Sequence, residues 1–174
     1  MDGKVYIYIY IYIFSYYKIP STLIIRERCV EIGNYAFRGS GKLEKVVIPK
    51  GCVRIGPYAF WWCSGLKEAI ISESVENIDN CSFAGSALVR VMIPEGCKRI
   101  GAKVFEYCDK LEEVVISKSV EVIGNYAFYK CKNATITLKK PRKTFKYIGD
   151  DVFKGCKDVK EETRNRSYRE RLVL

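Results

Sequence analysis

The sequence predicts a tandem-repeat solenoid, and three periodic features carry that reading. A phenylalanine recurs at Phe37, Phe60, Phe83, Phe105, Phe128 and Phe153, with spacings of 23, 23, 22, 23 and 25 residues. An isoleucine stands five residues before each one, at Ile32, Ile55, Ile78, Ile100, Ile123 and Ile148. A short extended run closes each unit, as in Leu43-Glu44-Lys45-Val46-Val47-Ile48-Pro49. One such unit is too small to bury its own apolar side chains, whereas stacked copies bury them in a continuous ladder.

Each part of the unit has a physical reading. A glycine follows the isoleucine in five of six units, at Gly33, Gly56, Gly101, Gly124 and Gly149, with Asp79 in the other. Glycine there suits a corner with positive φ or a close backbone approach. A small residue follows the phenylalanine by three: Ser40, Cys63, Ser86, Cys108, Cys131 and Cys156. The extended run recurs at Leu66 to Ser72, Leu88 to Pro94 and Leu111 to Ser117, with Leu23-Ile24-Ile25 at the start of the array. Pro49 and Pro94 suit strand ends, because proline has no N–H to donate. A one-residue deletion after Phe83 accounts for the spacing of 22. The longer last gap holds Lys139-Lys140-Pro141-Arg142-Lys143, an insertion that distorts the final unit. The array thus has five clear units of 22–23 residues and a diverged sixth.

The order Leu-x-x-Val-x-Ile-Pro, then Val-x-x-Ile-Gly-x-x-Ala-Phe-x-x-Cys, resembles the BspA-like leucine-rich repeat family. Val120-Glu121-Val122-Ile123-Gly124-Asn125-Tyr126-Ala127-Phe128-Tyr129-Lys130-Cys131 is nearly its consensus, and the likeness covers roughly residues 20 to 157. The resemblance implies a right-handed curved superhelix, mostly β, with a parallel sheet on its concave face and short helical or 3-10 turns. It also implies a non-catalytic protein-binding module of adhesin-like, cell-surface or secreted type. The motif positions are structural and carry no catalytic residues.

The chain has 174 residues, enough for one domain. Its expected parts are a Tyr/Ile-rich segment over 1–19, the repeat array over 20–157 and a charged tail over 158–174. Hydrophobic residues make up 48%, which excludes a disordered chain. The formal net charge of +10 points to anionic partners, but the bases are mixed with acids along the repeats as on any solvated face. That mixing argues against nucleic acid, and the resemblance implies a protein or glycan partner.

The eight cysteines follow the repeat phase. Cys63, Cys108, Cys131 and Cys156 share a position with Ser40 and Ser86; Cys29, Cys52 and Cys97 share another with Val75 and Val120. A position that accepts Cys, Ser or Val is a small buried site. Neighbouring coils bring Cys29 near Cys52, and Cys131 near Cys108 and Cys156, within the spacing a disulfide spans, although parallel side chains disfavour the bond. The chain has no histidine and no Cys-x-x-Cys, so no zinc site of ordinary spacing and no metal or cofactor is expected. The missing histidine also removes Ser-His-Asp and Cys-His catalysis, and no enzyme is expected. Sequons begin at Asn80, Asn133 and Asn165 and matter only in a eukaryotic secretory route.

Both ends depart from the pattern. Residues 5 to 14 alternate Tyr and Ile after Val5 and end on Phe14, the period of a strand. Three readings stay open: a strand capping the first repeat at Leu23 to Ile25, an uncleaved signal-like segment, or an extension without function. Tandem TATATA DNA translates to this alternation. The apolar run is too short for a transmembrane helix, and no small-x-small cleavage site follows it. Such a segment favours a cytoplasmic scaffold or a fragment of a longer array, against the surface location that the resemblance implies. The charged C-terminal tail reads as a short polar helix or as disordered chain.

Strand alternation places Val46 and Ile48 in the core and Lys45 and Val47 on the open face of the sheet. Two ladders follow. Lys45, Glu68, Arg90 and Glu113 alternate in sign, which supports strand register. Ile24, Val47, Ile70, Met92 and Val115 form an apolar stripe, the candidate protein-binding surface. Lys139, Lys140, Arg142, Lys143 and Lys146 form a run without acids, the candidate anion contact or else an exposed loop.

Overall fold

The structure, a computed structural model, describes residues 5–7 and 20–162. Fourteen strands alternate between two parallel seven-stranded sheets. The odd-numbered strands shorten to two residues from β5 onward: β1 Val5–Ile7, β3 Cys29–Ile32, β5 Arg54–Ile55, β7 Asn77–Ile78, β9 Arg99–Ile100, β11 Val122–Ile123 and β13 Tyr147–Ile148. The even-numbered strands form the main sheet: β2 Thr22–Ile24, β4 Lys45–Ile48, β6 Glu68–Ile71, β8 Arg90–Ile93, β10 Glu113–Ile116, β12 Thr135–Leu138 and β14 Asp158–Glu161. Each strand pairs with the one two places on, so every coil contacts only its neighbours. The one helical element among the described residues is a 3-10 turn at Arg142–Thr144.

The core lies between the sheets. Phe37, Phe60, Phe83, Phe105, Phe128 and Phe153 stack with ring centroids 5.1–5.9 Å apart and nearly parallel planes. Leu, Val and Ile ladders flank them, and Val46, Ile48, Val91, Ile93, Val114 and Ile116 are at most 3% exposed. The turns around each phenylalanine hydrogen-bond from coil to coil: Phe37 N–H donates to Ala59 O at 2.7 Å, and Phe60 N–H to Ser82 O at 2.7 Å. Irregular backbone is thereby satisfied without strand geometry.

The glycine after each isoleucine does not have positive φ. A Cβ at Gly124 would lie 2.5 Å from Ala102 N, so its reason is close coil-to-coil approach. Positive φ falls two residues either side of the phenylalanine. Tyr35, Tyr58, Cys81, Lys103, Tyr126 and Asp151 take it on one side; Trp62, Tyr107 and Lys130 take it on the other, where Gly39, Gly85 and Gly155 stand in the remaining coils.

Both ends differ from their sequence reading in detail. β1 pairs with β3, in the short-strand sheet, and not with the first-repeat strand at Leu23. Residues 8–19, with the rest of the Tyr/Ile alternation, lie outside the described residues. β14 falls inside the segment read as a charged tail: it pairs with β12 through Asp158↔Thr135 to Glu161↔Leu138. Its charges sit on a sheet-edge strand, where they face solvent and discourage further pairing. Residues 163–174 lie outside the described residues.

Candidate protein-binding face

The main sheet presents both ladders on one face. Lys45 pairs with Glu68 at 2.9 Å, and Arg90 with Glu113 at 3.5 Å. No ion pair joins Glu68 to Arg90 among the described residues. The apolar stripe lies beside this ladder. Register places Ile24 opposite Val47, Val47 opposite Ile70, and Met92 opposite Val115. Ile24 is 70% exposed, Ile70 45% and Met92 72%; Val47 and Val115 are partly covered. The stripe then gives way to Thr137 and Lys160 on the last two strands.

The sheet is interrupted at its centre. β4 with β6, and β8 with β10, pair over four residues each, but β6 with β8 pairs only at Glu68↔Arg90. A cavity of about 450 Å³ opens there, lined by Ala69, Ile70, Ile71, Met92, Ile93 and Val115 with Glu73 and Glu95 at its far end. The missing rung of the charge ladder and the cavity coincide. Periodicity could not reveal the opening, because the apolar pattern runs through it unbroken.

The basic run is folded onto acids from other coils. Lys139 meets Glu162 at 2.5 Å, Arg142 meets Glu161 at 3.2 Å and Lys146 meets Glu121 at 2.7 Å. The Lys146 hydrogen bond, against a smaller opposing desolvation, holds Glu121 below the ordinary carboxylate range. Lys140 lies 4.4 Å over the Phe145 ring, and desolvation lowers its pKa. Lys143 has no acidic partner among the described residues. These acids are far from the run in sequence, so the run read as uncompensated.

Sequence reasoning missed an aromatic surface on the turns. Tyr35 stacks on Tyr58 at 4.9 Å, Arg38 lies 4.4 Å over Trp61, and Lys130 lies 5.2 Å from both the Tyr107 and Tyr129 rings. The Trp62 ring covers Gly85, where an added Cβ would approach it to 3.0 Å. The alternation of Gly with Trp, Tyr and Lys two residues after the phenylalanine was the available signal.

No group of three or more His, Cys, Asp or Glu side chains among the described residues is placed to hold a metal. No helix among them is long and apolar enough to cross a membrane.

The family described as BspA type leucine rich repeat region matches in six copies, over residues 5–112 and 30–160. No curated protein matches the chain. Solved structures do. A T. pallidum leucine rich repeat protein superposes with a TM-score of 0.74 at 25% identity, over 82% of this chain and 71% of its own. A leucine rich cell surface protein from Faecalibacterium prausnitzii A2-165 gives 0.72 at 27%, over 86% of this chain and 41% of its own. A leucine-rich repeat protein from Eubacterium ventriosum gives 0.64 at 25%, over 68% and 32%. The chain thus spans less than half the length of the second and third.

Proposed function

This chain belongs to the BspA-type leucine-rich repeat family, and from that premise we propose that it is a non-catalytic, adhesin-like module of a cell surface that binds a protein through its main sheet. The observation that carries the reading is the apolar stripe. Ile24, Ile70 and Met92 are large apolar side chains held in solvent by strands whose opposite face packs on the core, fully at Val91 and Ile93 and partly at Leu23, Ala69 and Ile71. A contiguous exposed apolar row on a rigid sheet is the surface a partner covers. The surface location is supported by the likeness to the F. prausnitzii relative, a leucine rich cell surface protein.

The test changes Val47, Ile70 and Met92 to Ser together. Loss of partner binding with an unchanged melting curve supports the stripe; retained binding, or loss of the fold, overturns it. Labelling of intact, unpermeabilised cells tests the location.

The second reading is an intracellular interaction scaffold. The observation in its favour is that seven of the eight cysteines sit buried in the core as small hydrophobic side chains, a usage that suits a reducing compartment. Protein detected only after permeabilisation decides for it.

A further inference from the structure

We propose that the gap between β6 and β8 is a slot that takes an extended apolar peptide segment of the partner, ending in a basic residue. The proposal rests on the protein-binding reading of the sheet, of which the slot is the deepest part.

Its origin is the one-residue deletion. Five residues lead from Phe83 to Leu88, where six lead from Phe37 to Leu43, Phe60 to Leu66 and Phe105 to Leu111. In those three coils the leucine N–H closes the turn onto Ser40, Cys63 or Cys108. Leu88 makes no such bond among the described residues. β8 therefore leaves its turn on a different path, meets β6 at Glu68↔Arg90, and then parts from it.

The gap reaches inward. Ala69 and Ile71 are only half-buried, whereas Val46, Ile48, Val91 and Ile93 in the same columns are covered. Ala69 is also the small residue in a column otherwise filled by Leu23, Val46, Val91, Val114 and Ile136. The far end is shut by contact of backbones: a Cβ at Gly96 would fall 1.7 Å from Glu73 O. The feature is a slot closed at both ends and not a general splaying of the coils.

Three observations choose the occupant. The volume of about 450 Å³ lies within the roughly 300–1,000 Å³ of ligand pockets. Alternate residues of a parallel strand direct N–H and C=O to each neighbour. Beyond Glu68↔Arg90 those groups on β6 and β8 face the gap with no ladder to join. An extended peptide satisfies them, and a purely apolar molecule does not. The charges differ along the slot: Glu68, Arg90 and Lys139 are engaged with Lys45, Glu113 and Glu162, while Glu73 and Glu95 have no ion pair among the described residues. Two uncompensated carboxylates at the closed end call for a base there.

The probe is a capped peptide reproducing residues 46–50, Val-Val-Ile-Pro-Lys, an apolar strand sequence whose single base is its last residue. Wild-type protein is expected to bind it and to protect amides 69–71 and 91–93 from hydrogen exchange. Ala69→Val, and separately one serine inserted between Ala87 and Leu88, are expected to weaken binding at least tenfold without lowering the melting temperature. Replacing the peptide's last lysine by glutamate is expected to weaken binding several-fold. Lys132→Ser alters an exposed residue outside both the slot and the stripe, and peptide binding is expected to survive it. No binding to wild type, or binding that Ala69→Val leaves intact, overturns the slot while the stripe reading stands on its own test.

Discussion

At the scale of single residues, the cysteines show why repeat phase is informative. Cys63, Cys108, Cys131 and Cys156 each donate an S–H to the phenylalanine carbonyl of the preceding coil, at 3.0–3.3 Å. Cys29, Cys52 and Cys97 each donate to the carbonyl two residues on. Both are small buried positions with an acceptor at hand, and the serines that share the first phase were the legible sign. Burial pushes Cys63 and Cys97 up to about 12 and Cys108 up to about 11. Cys156 differs: it is half-buried, and a hydrogen bond from Cys131 lowers its pKa against an opposing desolvation. Thiolate fraction and access set thiol reactivity. Iodoacetamide applied to native protein near pH 8 is therefore expected to modify Cys156 first, read by mass spectrometry of the peptides. Earlier labelling of Cys63 or Cys108 contradicts the assignment. The glycine after each isoleucine was half legible. Its two sequence explanations, positive φ and close approach, cannot be told apart without the neighbouring coil.

At the scale of strands, the main sheet was legible and the short one was not. Four-residue strands carry enough alternation to assign faces, and the inward residues of β4, β8 and β10 are buried, while those of β6 beside the gap are half-buried. Two-residue strands carry no period, so the charges along them went unread. Arg54 on β5 bridges Glu31 on β3 and Asp79 just beyond β7. Desolvation lowers the Arg54 pKa, but attraction to Asp79 and then Glu31 raises it by more. The two acids are under a fifth exposed, unlike those of the main-sheet ladder. Removing the arginine leaves two poorly solvated carboxylates facing each other. Arg54→Ala is expected to destabilise by about 1–2 kcal/mol. Lys45→Ala, which breaks an exposed pair, is expected to cost less than about 0.5 kcal/mol. Urea denaturation of the two variants checks the order, and equal effects refute the distinction. The alternating ladder was the charge pattern legible in the sequence, which shows the sign of a charge but not its burial.

At the scale of the whole molecule, register was readable from spacing because deletions and insertions shift it by whole residues. Phe14 stands 23 residues before Phe37, in phase with the array, and the family match begins at residue 5. The Tyr/Ile alternation masked that phase. The consequence of the Phe83 deletion was not readable, since it depends on how a shortened turn redirects a strand in three dimensions. That consequence sets a prediction for the array. In a solenoid, stability is a sum of coil terms and nearest-neighbour interfaces. The β6–β8 interface lacks most of its ladder and its ion pair, while the phenylalanine stack crosses it intact, with Phe60 and Phe83 5.1 Å apart. What remains on the sheet side is the Glu68↔Arg90 rung, with Val89 N–H donating to Lys67 O at 3.2 Å, and the Gly96–Glu73 approach. An alanine there would drive a Cβ into a backbone carbonyl that cannot rotate away. Gly96→Ala is expected to destabilise by about 2–4 kcal/mol and to uncouple the halves. Both tryptophans, Trp61 and Trp62, lie before the junction, with the Trp62 ring against Gly85 across it, so their fluorescence reports the first half and its contact with the next coil, whereas far-ultraviolet circular dichroism reports the whole. In wild type the two urea transitions should coincide. In Gly96→Ala they should separate, with a shallower slope for each. Gly39→Ala is the control: its φ of +70° makes alanine strained, but no atom lies within 4 Å of the new Cβ. It is expected to cost about 1–2 kcal/mol and to move both transitions together. Coincident transitions in Gly96→Ala would mean that the phenylalanine stack, the β5–β7 ladder and the turn hydrogen bonds suffice to couple the coils.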